Sequence, residues 1–146
     1  MTNKDLMVGD WIKLHYDINY KTGESLYTNV RITGINEDGT VDVSMQDGDG
    51  WDLKLIYPIQ LTPEILEKNG FENIDNMYPF PTFRCDDKEN YFCITIGFPE
   101  GNKTRRKYPF IEINGENIFV EYIIINFIHE LQHVLKLCGI DKNIEL

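Results

Sequence analysis

The chain has 146 residues, 42% of them hydrophobic and 26% charged, and these proportions are those of a folded globular domain rather than of a disordered segment. Its formal net charge of -10 disfavours general binding to nucleic acid, because such binding depends on many Lys and Arg side chains that neutralise phosphates. A charge of this size keeps a protein in solution. We therefore expect no direct, general binding to DNA or RNA.

The cysteine content and the hydropathy pattern indicate a cytoplasmic protein. The chain has three cysteines, an odd number, and no C-x-x-C pair, which does not suit a disulfide framework. The N-terminal residues lack the apolar core of a signal peptide. The longest apolar stretch, residues 118–128, is interrupted by Glu121 and Asn126 and is too short to span a bilayer. We expect no membrane segment.

The first part of the chain, residues 6–61, is rich in predicted strands. Short segments alternate apolar and polar residues, which is the period of a half-buried strand. These segments are Trp11–Tyr16, Val30–Ile35, Thr40–Met45 and Trp51–Ile56. Asp38-Gly39 is a typical hairpin turn between the second and third segments. This pattern predicts an SH3-like curled antiparallel sheet, an architecture that binds proteins, peptides or nucleic acids.

A short capped helix is predicted for residues 62–70. Thr62 is a favourable N-cap residue, and Pro63 occupies the first helical position. Gly70 can adopt the left-handed conformation that ends a helix, and Phe71 can pack back against the last turn.

The third part is predicted to be a β-meander over residues 78–122 followed by an amphipathic helix over residues 123–139. The predicted strands are Thr82–Asp86, Tyr91–Phe98, Lys107–Ile113 and Asn117–Tyr122. Asn114-Gly115 is a strong signal for a two-residue hairpin turn, and Gly139 ends the helix. Together the parts predict an α+β fold in which residues 1–146 form a single domain.

Residues 129–133 read H-E-L-Q-H, which matches the H-E-x-x-H motif of zinc hydrolases. On a helix, His129 and His133 lie one turn apart and can bind one Zn²⁺, and Glu130 can act as general base on a zinc-bound water. A catalytic zinc needs a third protein ligand, but the positions where an extended motif would have Gly and His hold Lys136 and Gly139. Upstream candidates without a recognised spacing are His15, Cys85, Cys93 and Glu121.

The helical wheel places His129 and His133 almost opposite the apolar stripe of this helix, so both are predicted to lie on its polar face. The stripe consists of Ile124, Phe127, Ile128, Leu131, Val134, Leu135 and Cys138. Cys85 and Cys93 could join the two histidines in a structural Cys₂His₂ zinc site, but a separation of eight residues is not the usual spacing. All three cysteines are therefore predicted to be buried thiols.

A short basic run follows the turn at Pro99–Asn102. It consists of Lys103, Arg105, Arg106 and Lys107. These side chains could contact a phosphate or an acidic partner, and the alternative is a solvated hairpin face.

Three segments resemble parts of a group of small uncharacterised proteins encoded by gut Bacteroidetes and their phages. They are Val8–Ile12, Ile56–Leu66 with the following Asn69–Phe71, and Phe127–Leu135. The resemblance covers most of the chain and implies a bacterial or phage origin. Some of these proteins have a VHQLQN sequence in the last helix, so the resemblance implies that Gln and Asn can replace Glu130 and His133. The group has no assigned activity that could be transferred.

These observations favour a non-enzymatic accessory or protein-interaction protein, with an unknown protein partner and no cofactor. The alternative is a minimal zinc metallopeptidase or hydrolase that uses His129, Glu130 and His133, and only this alternative requires Zn. A further alternative is an acidic nucleic-acid mimic that inhibits a host enzyme.

Overall fold

The computed structural model describes residues 3–74, 77–89, 91–99 and 107–146. Within these ranges the chain forms two five-stranded antiparallel sheets and two α-helices, which confirms the predicted α+β class with a curled antiparallel sheet. Its contacts divide it into two compact units, Met1–Ile59 and Gln60–Leu146, and each unit contains one of the sheets. No helix in the described ranges combines the length and the apolar character needed to cross a bilayer.

The first unit consists of five short strands in the order β4-β3-β2-β1-β5. Their bounds are β1 Trp11–Ile18, β2 Ser25–Ile35, β3 Thr40–Val43, β4 Trp51–Asp52 and β5 Ile56–Pro58. The predicted turn at Asp38-Gly39 joins β2 to β3, and Gly39 has a φ of 87° there. The central strand β1 pairs with β2 on one side and with β5 on the other.

The core of this unit follows from the period-two pattern of its strands. Ile12 and Leu14 on β1 are fully buried, while Lys13 between them is exposed. The buried cluster consists of Leu6, Ile12, Leu14, Val30, Ile32, Val41, Val43 and Ile56. Each such side chain contributes roughly 1.5–3 kcal/mol by leaving water, so the aliphatic face stabilises the sheet without a disulfide or a metal.

The segment Trp51–Ile56, predicted as one strand, is instead broken in the middle. Strand β4 ends at Asp52, and residues Leu53–Leu55 form a 3₁₀ turn that leads into β5. The Asp52 carboxylate accepts a hydrogen bond of 2.9 Å from the Lys54 backbone amide. This side-chain cap offers the backbone an alternative to strand pairing, which the alternating pattern alone does not reveal.

The second unit contains five strands in the order β10-β9-β8-β7-β6 and the two α-helices. The bounds are α1 Pro63–Lys68, β6 Glu72–Asn73, β7 Thr82–Asp87, β8 Phe92–Gly97, β9 Phe110–Gly115, β10 Phe119–Ile124 and α2 Ile128–Leu137. The meander from β7 to β10 agrees with the sequence analysis. The two-residue edge strand β6 was not predicted, because it is too short to show a period.

Helix α1 begins and ends where the sequence predicts. Thr62 is its N-cap, and the Thr62 hydroxyl bonds to the carboxylate of Glu64 and lowers the pKa of that carboxyl. Gly70 has a φ of 77°, and the Phe71 amide donates to the Leu66 carbonyl at 3.0 Å. The Phe71 side chain is buried, as expected of a residue that packs back after the helix.

The hairpin between β9 and β10 is correct, but its predicted turn at Asn114-Gly115 is wrong. Both residues belong to β9, and the turn lies at Glu116 and Asn117. Gly115 pairs with Phe92 on β8, and a Cβ atom at Gly115 would lie 3.1 Å from the Tyr91 carbonyl oxygen. This glycine therefore permits a close approach between strands rather than a tight turn.

The last helix is shorter than the predicted range of 123–139. Ile123 and Ile124 belong to β10, since β-branched residues favour strands over helices. The helix ends as predicted before Gly139, which has a φ of 71°.

We expect Gly48→Ala to destabilise the first unit. A Cβ atom at Gly48 would lie 2.1 Å from the Val43 carbonyl oxygen and 2.8 Å from that of Met45, so the backbone must move. We expect a loss of about 2–3 kcal/mol in the free energy of unfolding, measured by urea denaturation. The control is Gly23→Ala, where nothing lies within 4 Å and only the left-handed backbone opposes a side chain, at a cost of about 1 kcal/mol. Equal stability of Gly48→Ala and the parent protein would contradict this loop geometry.

Candidate functional site

Helix α2 brings the two histidines of the H-E-x-x-H motif together. The ring centroids of His129 and His133 are 5.7 Å apart, and the ring planes meet at 76°. This proximity agrees with the one-turn spacing in the sequence.

His129 is predicted to lie on the polar face of the helix, and the structure buries it there. Its residue surface is only 6% exposed, and its ring stacks on that of Phe127 with a centroid distance of 5.8 Å and an interplanar angle of 9°. His133 is half-buried. The helical wheel treats Phe127 as part of a helix that begins at residue 123, but the helix begins at Ile128. Phe127 is therefore extended, and its ring lies against the ring of His129 in the first helical turn.

Glu130 caps the N-terminus of the same helix. Its Oε2 atom accepts hydrogen bonds from the backbone amides of Asn126, at 2.6 Å, and Phe127, at 3.0 Å. The first amides of a helix have no partner within the helix, and a carboxylate in the first turn also interacts favourably with the helix dipole. The carboxylate that the motif assigns to proton transfer therefore holds the chain at the junction of β10 and α2.

A catalytic zinc would need a third protein ligand next to the histidine pair. Within the described residues, no three His, Cys, Asp or Glu side chains are grouped so that they could hold a metal. None of the upstream candidates His15, Cys85, Cys93 and Glu121 therefore forms such a group with His129 and His133. The sequence identifies the pair but not a complete zinc site.

The three cysteines are free and half-buried. Cys85 and Cys138 line one cavity of about 770 Å³, which Phe92 also lines. Burial raises the pKa of the Cys138 thiol, and burial together with a hydrogen bond to Asp86 raises that of Cys93. A raised thiol pKa lowers the fraction of reactive thiolate at neutral pH. The prediction that the three thiols are buried is met only in part, because each cysteine is half-buried.

Most of the predicted basic contact surface cannot be placed. Lys103, Arg105 and Arg106 lie outside the described residues, and Lys107 is exposed.

A groove in the first unit was not predicted from the sequence. It has a volume of about 400 Å³ and is formed by the end of β1, the loop that follows it, and the segment around the 3₁₀ turn. Its lining consists of His15, Tyr16, Asp17, Ile18, Tyr20, Trp51 and Leu55. Tyr16 is 42% exposed and Tyr20 is 92% exposed, so the groove presents aromatic rings to solvent.

Two ring nitrogens of the groove residues are buried without a hydrogen-bond partner in the described part of the chain. They are Nε2 of His15 and Nε1 of Trp51. Native proteins satisfy most buried polar atoms, because an unsatisfied one costs about 1–3 kcal/mol. Both nitrogens are inaccessible from the groove, so the exposed rings of Tyr16 and Tyr20 are what make the groove a candidate binding site.

An aromatic row continues from this groove across the sheet. His15 on β1 contacts Tyr27 on β2 with a centroid distance of 5.2 Å, and Tyr27 contacts Tyr57, on β5, edge-on at 5.7 Å. The alternation in these strands predicts the core, and the aromatic residues at its outward positions are the sequence signal for this row.

Comparison of this chain with protein-family models, with curated proteins and with solved structures finds no match in any of the three.

We expect Glu130→Ala to lower the free energy of unfolding by about 1–2 kcal/mol, because two amides at the helix start lose their acceptor. Glu130→Gln should cost less, since its amide oxygen can still accept these bonds. The control is Glu67→Ala, an exposed position of α1, with an expected change within about 0.5 kcal/mol. Chemical denaturation of the three variants measures these differences. No loss of stability in Glu130→Ala would contradict the capping role.

Proposed function

We propose that this chain is a non-enzymatic protein-interaction protein that binds an extended segment of a partner protein in the groove of its first unit. The observation that carries this proposal is the aromatic lining of the groove by Tyr16, Tyr20 and Trp51, of which Tyr16 and Tyr20 are exposed. Binding sites typically combine apolar and aromatic walls with a few polar groups that fix the orientation of the ligand.

We also propose that the first unit is SH3-like. Five short antiparallel strands in the order β4-β3-β2-β1-β5 and a 3₁₀ turn directly before the last strand support this classification. The groove lies between the end of β1 and the 3₁₀ turn. In SH3 domains an aromatic-lined groove receives proline-rich segments, which bind with a low entropic cost because they are already extended.

A proline-containing segment suits the chemistry of this groove. The flat rings of Tyr16 and Tyr20 are exposed in the groove and can pack against proline rings. Such a ligand would gain affinity mainly from shape and from backbone carbonyls, so only a short motif is needed.

Several observations favour binding over catalysis. Oε2 of Glu130 is engaged by two backbone amides, and the described residues contain no group of three metal-binding side chains. The thiols of Cys93 and Cys138 have raised pKa values, which does not suit a nucleophile. The proposal therefore assigns α2 a structural role.

The peptide proposal can be tested by selecting peptides from a displayed random library on the immobilised full-length protein. We expect enrichment of proline-containing sequences, with affinities in the micromolar range that is usual for short-motif recognition (about 1–100 μM). The double variant Tyr16→Ala, Tyr20→Ala should weaken binding of the selected peptides about tenfold or more, because the aromatic walls are lost.

The matched control for this test is Tyr91→Ala, which removes an exposed tyrosine of the second unit. It should bind the selected peptides as the parent protein does. The proposal fails if no peptide is enriched, or if the control loses as much affinity as the groove variant.

Metal analysis tests the enzymatic alternative directly. We expect the untagged protein, purified without chelator, to contain much less than one zinc per chain. The double variant His129→Ala, His133→Ala should have the same low zinc content as the parent protein. A stoichiometric zinc content that the double variant loses would instead establish the H-E-x-x-H as a metal site.

A further inference from the structure

The outer face of the first sheet is a second surface of this unit, formed by the side chains that alternate with the core residues on β1, β2 and β5. Its central part consists of Trp11, Lys13, His15, Tyr27, Asn29, Arg31 and Tyr57. The strand register brings these residues side by side, since Trp11 lies opposite Arg31, Lys13 opposite both Asn29 and Tyr57, and His15 opposite Tyr27. We call this surface the outer face.

The outer face presents aromatic rings that are in contact with each other and with solvent. Tyr27 is 47% exposed and Tyr57 is 41% exposed, and the two rings meet edge-on. Exposed tyrosines that are held by neighbouring rings are good contact residues, because they bury much area and lose little conformational freedom on binding.

The charge of the outer face is opposite to that of the unit around it. Residues 1–59 contain ten Asp and Glu and five Lys and Arg, whereas the outer face contains the two cations Lys13 and Arg31 and no carboxylate. The Arg31 guanidinium lies 4.6 Å from the ring centroid of Trp11, which fixes the position of the charge. A local cationic surface on an acidic protein attracts an acidic partner to this place and repels it elsewhere.

We propose that the outer face binds a short acidic segment of the partner protein, in which carboxylates alternate with apolar or aromatic residues. The carboxylates would pair with Lys13 and Arg31, and the apolar residues would pack on Tyr27 and Tyr57. This inference rests on the proposed interaction role but uses a different surface. His15 joins the two surfaces, since it lines the groove and contacts Tyr27.

The charge distribution favours a short peptide over the other occupants. Affinity for nucleic acid grows with the number of neutralised phosphates, and the outer face offers only two permanent cations on a chain of net charge -10. A second copy of the chain would bring another ten negative charges and be repelled at low salt. A short segment needs complementarity only over the outer face itself.

The experiment uses a fluorescein-labelled peptide that alternates glutamate with tyrosine and phenylalanine. Its first control is the same peptide with glutamine in place of glutamate, and its second is a single-stranded oligothymidylate of similar length and charge. Fluorescence anisotropy measures binding of each probe to the full-length protein at about 50 mM and about 500 mM salt, because screening weakens ion pairs on an exposed surface. We expect the acidic peptide to bind at least about tenfold more tightly than the glutamine peptide at the lower salt concentration.

The variants separate the outer face from the overall charge. Lys13→Glu, Arg31→Glu reverses both cations of the outer face, and Lys21→Glu, Lys54→Glu reverses two exposed lysines of the same unit. Both double variants change the net charge by the same amount. The outer-face variant should lose about tenfold or more in affinity for the acidic peptide, and the control should stay within about twofold. If replacement of Arg31 disturbs folding, the comparison is repeated with the single variant Lys13→Glu and its control, the single variant Lys54→Glu.

Equal losses in the two variants, or no difference between the acidic and the glutamine peptide, would overturn the inference. If the oligothymidylate binds more tightly than the acidic peptide, the inference is overturned and nucleic acid becomes the favoured ligand of the outer face. The groove variant Tyr16→Ala, Tyr20→Ala separates the two proposals. If library peptides bind in the groove but the charge of the outer face has no effect, the proposed function stands and this inference fails.

Discussion

The pairing of β1 with β2 on one side and with β5 on the other is the constraint on which the first unit depends. It directs Ile12 and Leu14 into the core and leaves the alternate positions of the same strand outward. A shift of one residue in this register would expose the aliphatic residues and bury Lys13, so the hydrophobic effect fixes the register strongly. The same constraint that forms the core therefore also assembles the outer face.

The helix α2 shows how one motif can serve a structural purpose. The i, i+4 spacing brings His129 close to His133, yet Glu130 accepts hydrogen bonds from the amides of Asn126 and Phe127. A run of β-branched residues precedes the helix, so the chain must change from strand to helix within three residues. A carboxylate at the third helical position is the usual means of stabilising such a start.

Net charge and local charge lead to different expectations for this protein. The formal charge of -10 argues against general nucleic-acid binding, but it does not describe any single surface. On the outer face, strand register gathers Lys13, Arg31 and aromatic rings from positions far apart in the sequence. Net charge therefore does not predict the potential at each surface of the protein, because that potential depends mainly on the charges nearby.

The sequence by itself determined the α+β class, the strands of both sheets except β6 and the separate strand β5, helix α1 with its caps, and the proximity of His129 and His133. These features depend on local signals, namely hydrophobic period, capping residues and helical spacing. Only the tertiary structure decided that Gly115 supports a strand contact instead of a turn, that His129 is buried under Phe127, and that Tyr16, Tyr20 and Trp51 share a groove. The reason is physical: these outcomes depend on strand register and on contacts between residues distant in the chain, and a period in the sequence shows which side chains are buried but not which ones meet.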